Sequence, residues 1–391
     1  MKYAFLLLWL GLACLLNAQL PANTSYYLPA EIEAWRQQDT TPWKDQRVAW
    51  LYSYIGEYRQ TLKIWDTVSG GRRSLSPADS AWFARFQPVD ALNYIESVAG
   101  GYQMLIINEA HQQPRHRAFT TQLLEALYRQ GFRYLALEDL GTSDTLLQKR
   151  GYPVRETGFY IVEPRFGNLV RQALAIGYTL WPYENTGNGE REQGQALNLK
   201  KLFDQDKNAK VLVHCGFDHV IEGVHDYWGK AMAGWFKEFS GIDPLTINQT
   251  NMTERSTERR SDPLWQKVQL PYSAVFIDSL QQSFNGPQGK NQFDLVVFHP
   301  RSTFVHGRPD WLVQDSGKKW VRPPKRALRL GYPCLVEARL SRESADAVPV
   351  DVLLLQNDAD QAALALFPGR YTLSLRDGKN NTRQIRLKVR P

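Results

Sequence analysis

Between about residues 102 and 310, short runs of uniformly apolar, β-type residues alternate with stretches of helical periodicity. The runs are Met104–Ile107, Tyr134–Leu137, Tyr178–Trp181, Val211–Val213, Leu245–Ile247 and Leu295–Phe298. Between them, Phe119, Leu123, Leu124 and Leu127 share one helical face. Leu169, Val170, Ala173 and Leu174 share a second, and Trp228, Met232, Trp235, Phe236 and Phe239 a third. A strand that is apolar on both sides must be covered on both sides. The pattern therefore predicts an α/β fold: a mostly parallel sheet covered by helices.

The flanks read differently. Residues 19–100 look helical and are expected to pack on the core. Trp43–Leu62 has helical spacing, and Ser76-Pro77-Ala78-Asp79 has the order of an N-cap, a first-turn proline and a first-turn acid. From 321 to 391 alternating strands appear, at Leu335–Leu340, Val350–Leu355, Tyr371–Leu375 and Ile385–Val389, with Asp377-Gly378 as a turn signal. This tail predicts a small C-terminal all-β, sandwich-like domain after a Pro323-Pro324 linker, leaving 101–320 as the α/β domain. Net charge is +7 over 391 residues with no dense Lys/Arg stripe, which argues against a nucleic-acid partner.

Residues 1–18 read as a signal peptide. Lys2 precedes the apolar run Ala4–Leu16, whose 13 residues are too few to span a bilayer, and cleavage is expected after Ala18. The mature chain is thus expected to be exported, periplasmic or extracellular, with no transmembrane segment. Cys14 as a lipid anchor fits poorly, because Gly11 stands where a lipobox has Leu. Cys215 and Cys334 then remain. Two cysteines are no disulfide framework, and Cys215 ends an apolar run as a buried small hydrophobe.

The chemistry gathers after the strands. Met104–Ile107 is followed by Asn108-Glu109-Ala110-His111, Tyr134–Leu137 by Glu138-Asp139, and Tyr178–Trp181 by Tyr183-Glu184-Asn185. Val211–Val213 leads to His214-Cys215-Gly216-Phe217-Asp218-His219, and Leu295–Phe298 to His299-Pro300-Arg301. Ligands of parallel sheets sit at the carboxyl ends of strands, so this edge is the expected site. Converging carboxylates and histidines can activate water directly or through a divalent metal. Burial and mutual repulsion should raise the carboxylate pKa values. No Gly-X-Ser-X-Gly elbow, phosphate-binding glycine loop or His-Glu-X-X-His is present. Glu184, Arg191, His214 and His299 are candidate substrate-binding residues, with His214 also readable as a hydrogen-bonding residue within the sheet.

Asn108-Glu109-Ala110-His111 with His116, then Leu137-Glu138, then Arg191-Glu192-Gln193, then Gly216-Phe217-Asp218-His219 resemble, in order and placement, the EreA/ChaN-like superfamily. That group includes erythromycin-esterase-like hydrolases, Tiki/TraB-type metalloproteases and ChaN haem-uptake proteins. The resemblance covers about residues 100–310. Asn108 departs from the family's usual Gly, and the Glu-X-His spacing is closer to the ChaN-like members than to the esterases. The resemblance implies catalytic residues Glu109, His111, Glu138 and His219. His111 and Glu138 would be the water-activating pair, and His219 would polarise the substrate or join Glu109 and His111 on a metal. The expected function is hydrolysis of an ester, amide or peptide bond in a small molecule or peptide; the alternative that the ChaN-like spacing implies is haem or iron binding, with Tyr102, Tyr183 and His219 near the iron.

Overall fold

The computed structural model describes residues 26–68, 74–185, 190–226, 229–287, 292–314, 317–324 and 329–391. The expected signal peptide 1–18, with Cys14, lies outside the described residues, as does Trp228 of the third helical face. No helix among the described residues is long and apolar enough to cross a membrane.

All six apolar runs fall in one eight-stranded sheet. Its order is Gln87–Asp90, Ala274–Ile277, Leu295–Phe298, Leu245–Met252, Met104–Glu109, Val211–Gly216, Tyr134–Leu137, Thr179–Pro182. The six strands from Leu295–Phe298 to Thr179–Pro182 run parallel. The first two strands form an antiparallel edge that the sequence pattern did not disclose. Successive side chains of a strand point to opposite faces, and the core divides accordingly. Met104, Ile106, Val211 and Val213 pack beneath the helices Arg191–Gln205 and Met232–Ser240. Leu105, Ile107 and Leu212 pack beneath Ala91–Ala99, Pro114–Arg129 and Pro164–Ile176. Ser76 caps Pro77–Phe83 as its order of residues predicts, accepting a hydrogen bond from the Asp79 N–H at 3.0 Å.

The N-terminal stretch Trp43–Leu62 is two helices, Lys44–Tyr54 and Tyr58–Val68, broken at Gly56. Gly56 has φ of 78°, and a Cβ there would meet the Val352 carbonyl oxygen at 2.8 Å. The break lets the chain lie against the C-terminal domain. Ile32, Val48, Ile55 and Ile64 form one cluster with Val162, Leu335, Val352 and Leu354. These first helices therefore pack against the C-terminal sheet and the loop before Pro164, while Pro77–Phe83 and Ala91–Ala99 of the same 19–100 stretch pack on the main sheet.

The C-terminal domain has an antiparallel sheet in the order Asp351–Leu355, Cys334–Leu340, Gly369–Asp377, Thr382–Val389. A two-stranded sheet, Lys319–Val321 with Leu364–Leu366, accompanies it, and the two share one apolar cluster. The Pro323-Pro324 segment thus follows the first β-strand of this unit. Cys215 and Cys334 are buried and free, in different clusters.

Candidate active site

The strand Met104–Glu109 ends in a fully covered carboxylate. Glu109 is 1% exposed, and both its oxygens are engaged. Oε1 meets His111 Nδ1 at 2.8 Å and accepts from Arg117 Nη2 at 2.6 Å. Oε2 accepts from Arg117 Nε at 2.5 Å and meets His214 Nε2 at 3.0 Å. Pro114 starts the next helix, which places Arg117 in its first turn, over Glu109. Burial pushes the Glu109 carboxyl up, but Arg117, with hydrogen bonds from His111 and His214, outweighs it and holds it well below the carboxylate range.

His111 is turned outward by this anchor. Its ring stacks on Tyr160 with centroids 3.9 Å apart, and Trp50 and Phe217 meet it edge-on. Across from it stands Glu138, at the end of Tyr134–Leu137. Glu138 Oε2 accepts the Gly216 N–H, and Oε1 accepts from Arg191 Nη2 at 2.7 Å. A Cβ on Gly216 would lie 2.7 Å from His111 Nε2 and 2.9 Å from Glu138 Oε2, so these two atoms face each other across the space the glycine leaves open.

His219 completes the group. Its Nε2 lies 3.6 Å from Glu138 Oε1 and 2.9 Å from Arg191 Nη1, and its Nδ1 is 2.8 Å from Glu192 Oε2. Burial would lower its pKa, but Glu138 and Glu192 outweigh it and leave it raised. Burial also acts upward on Glu138, and His219, His111 and Arg191 bring it down to about 2. The expectation that these carboxylates titrate near neutrality is therefore corrected: each is ringed by cationic or hydrogen-bonding partners. Asp139 is the acid that does rise, pushed up to about 6 by burial against backbone N–H groups of Tyr160 and Ile161.

These side chains open on a cavity of about 1200 Å³ lined by His111, Glu138, Asp139, Glu184, Arg191 and His219, with aromatic walls from Trp50, Trp65 and Tyr160. Glu184 sits on the adjacent strand end and takes Arg191 Nε at 3.0 Å and Nη2 at 2.6 Å. His214 and His299 do not reach the cavity. His214 is spent inside the sheet on Glu109 and on Thr120 Oγ1 at 3.2 Å. His299 bonds Gln249 and Ser273, at 3.0 and 2.9 Å, and stacks on His116. Its strand is four places from that of Glu138, about 19 Å at ordinary strand spacing. Cys215 Sγ faces the Ile107 carbonyl at 3.7 Å within the core, so it is no nucleophile for this cavity.

The metal set Glu109, His111 and His219 does not fit a divalent ion. A cation would compete with Arg117 for both Glu109 oxygens, and His219 is held on both nitrogens. Among the described residues no group of three His, Cys, Asp or Glu side chains has metal-ligating geometry. Nor do Tyr102, Tyr183 and His219 surround one iron. Tyr102 precedes its strand, at the opposite edge of the sheet, and Tyr183 is buried in the core beneath Arg191–Gln205.

Arg117, Tyr160, Glu192 and Phe217 carry no role in the sequence pattern, yet each fixes a site residue. Glu192 stands in the quoted Arg191-Glu192-Gln193 motif; Arg117, eight residues past Glu109, had only its charge as a signal.

No protein-family model matches the chain, and no curated protein matches it. Among solved structures it is similar to the type III effector HopBA1, at 11% identity over 58% of this chain and 99% of that one, with a TM-score of 0.36. It is also similar to RRSP, a MARTX toxin effector domain from Vibrio vulnificus CMCP6, at 13% identity over 65% of this chain and 48% of that one, with a TM-score of 0.28. A third is the C-terminal region of Pasteurella multocida toxin, described as having a thiol-protease like catalytic triad. There the identity is 11% over 92% of this chain and 58% of that one, with a TM-score of 0.31. The chain thus spans about half the length of the last two. These likenesses are remote, and what the site does follows from its own side chains.

Proposed function

We propose that the cavity hydrolyses an ester, amide or peptide bond, with His111 as general base, and that the chain belongs with the EreA/ChaN-like group it resembles. One observation carries the reading: buried Glu109 holds Nδ1 of His111 and leaves Nε2 facing Glu138 across Gly216. This is the acid–histidine relation of a catalytic triad, with water in place of a side-chain nucleophile.

Water between His111 Nε2 and Glu138 Oε2 loses a proton to His111 as its oxygen attacks the carbonyl carbon. The imidazolium formed is stabilised by Glu109, whose carboxylate stays ionised beneath Arg117. Arg191 stands beside Glu138 and supplies positive charge and N–H donors to the oxyanion, and His219, between Arg191 Nη1 and Glu192, fixes that guanidinium in place. His111 then returns the proton to the leaving oxygen or nitrogen. Glu109, Arg117 and His219 are positioning residues in this scheme; His111, Glu138 and Arg191 touch the reacting atoms.

The test is turnover of ester and peptide panels by wild type, His111→Ala and Glu138→Gln, each with and without chelator. Both variants should keep wild-type circular dichroism and lose turnover by about 100-fold or more, and chelator should change nothing. Unchanged turnover in His111→Ala would overturn the reading, as would the absence of any turned-over substrate.

A further inference from the structure

A second cavity, of about 740 Å³, lies where the helices Pro114–Arg129 and Pro164–Ile176 meet the C-terminal sheets, and shares no lining residue with the His111 cavity. Five cations line it: Arg165, Arg171, Lys318, Arg342 and Arg370. Among the described residues on its wall, Glu343 is the only carboxylate. Arg171 takes both Glu343 oxygens, at 2.9 and 2.7 Å, so that acid neutralises one cation and no other. Arg342 and Arg370 are exposed and form no ion pair with any described residue. Arg165 is different: it is 2% exposed, with Nη2 on the Val350 carbonyl and Asp351. Its Nε and Nη1 have no hydrogen-bond partner among the described residues.

A chain that folds for stability alone gains nothing from like charges around a void, and an unsatisfied buried donor costs about 1–3 kcal/mol. Apolar surface lines it as well, from Leu340, Leu366, Phe367 and Tyr371, and Phe367 stays 42% exposed. Guanidinium groups beside apolar and aromatic surface recognise one kind of molecule. We infer that this cavity binds a small amphipathic organic anion, its phosphate or carboxylate head among the arginines and its apolar body against Phe367 and Leu366. With Arg342 and Arg370 in no ion pair among the described residues, and Nε and Nη1 of Arg165 facing no described acceptor, a dianionic phosphate is favoured over a monoanionic carboxylate.

The experiment is calorimetric titration of the full chain with 2-naphthyl phosphate, 2-naphthoate, 2-naphthol and inorganic phosphate. One 2-naphthyl phosphate should bind per chain, at least tenfold tighter than 2-naphthol and than inorganic phosphate, with 2-naphthoate between and affinity falling as salt rises. Two variants place the site. The double variant Arg342→Gln/Arg370→Gln alters only exposed side chains and should lose at least tenfold. Ala175→Trp fills the cavity from an exposed helix position without changing charge, and should abolish binding. Equal binding of 2-naphthol would overturn the anion requirement, and equal binding of inorganic phosphate the apolar half. Unchanged affinity in both variants would put the ligand elsewhere and end the proposal. Loss of turnover at His111 would leave these outcomes untouched, since the two cavities share no residue.

Discussion

Glu109 is the acid the rest of the site is built on, and its environment predicts how it fails. Arg117 is fully buried, and its remaining contacts are Glu163 at 3.2 Å and the His111 carbonyl at 3.1 Å. Glu109→Gln leaves that guanidinium short of a counter-charge and His214 with a weaker partner. Removing one member of a buried pair costs about 3–5 kcal/mol. Urea unfolding of Glu109→Gln should show a loss of that size together with lost turnover; a loss below about 1 kcal/mol would show that Arg117 is satisfied without it. Glu138 predicts a pH effect. Its folded pKa of about 2 lies below the ordinary 4.5, so its contribution is present above pH 4.5 and lost as pH falls towards 2. Stability of wild type measured against pH should therefore fall across that window, and Glu138→Gln should flatten the fall. An identical pH profile in the two proteins would mean the carboxylate is not held by Arg191 and His219. The strand-end pattern placed Glu109, His111, Glu138 and His219 on one edge, but not which acid serves which histidine. Spacing within a chain says where a side chain starts; partners such as Arg117 and Glu192 are chosen by the packing of separate helices.

At the level of elements, the legible part was the six parallel strands and the helices on both sides, because side chains buried on two faces leave no polar alternation to obscure them. The antiparallel edge strands were not legible. Gln87–Asp90 has half its residues exposed and reads as loop, and Ala274–Ile277 lies among turn residues. His299 shows the limit of reasoning from strand ends. It does follow a strand, yet strand order decides which ends are neighbours, and order is set by crossovers that the apolar runs do not encode. Gly216 is where one strand end bears directly on the proposed reaction. Its φ of −82° and ψ of 146° suit any residue, so Gly216→Ala carries no backbone strain. Its methyl group would lie 2.5 Å from His111 Cε1 and 2.9 Å from Glu138 Oε2. One of them must move. Displacement on the order of 1 Å can cost about 100-fold in rate, so Gly216→Ala should lose turnover on that scale with a near-wild-type melting temperature. Full activity in this variant would show that the space between His111 and Glu138 is not where the reaction occurs.

The whole molecule is held together by a polar knot as well as by apolar surface. Asp351, the first residue of its strand in the C-terminal domain, takes Arg308 through both oxygens at 2.8 and 2.9 Å and Arg165 at 3.1 Å. It also accepts the Ala365 N–H at 2.7 Å, which ties the two C-terminal sheets to each other. Arg165 belongs to the helix capped by Glu163, and Glu163 accepts from Arg117, which holds Glu109. A chain of buried groups therefore runs from the C-terminal domain to the acid behind His111. The first N-terminal helices reinforce the join, since their apolar face is covered by Leu335, Val352 and Leu354 rather than by the main sheet. Neither feature suits independent units: an isolated 321–391 fragment would expose that face and strand Asp351. The full chain should accordingly unfold in a single transition by calorimetry. Asp351→Asn keeps the shape of the side chain but removes the charge that two buried guanidinium groups share, and should lower stability by about 3–5 kcal/mol. It should also reduce turnover through the Arg165–Glu163–Arg117 path, and Asp351→Glu, which keeps the charge, should recover part of both losses. Two separate transitions in the wild type, or an Asp351→Asn protein as stable as its parent, would show that the C-terminal domain is an appendage and not part of the frame that positions the site.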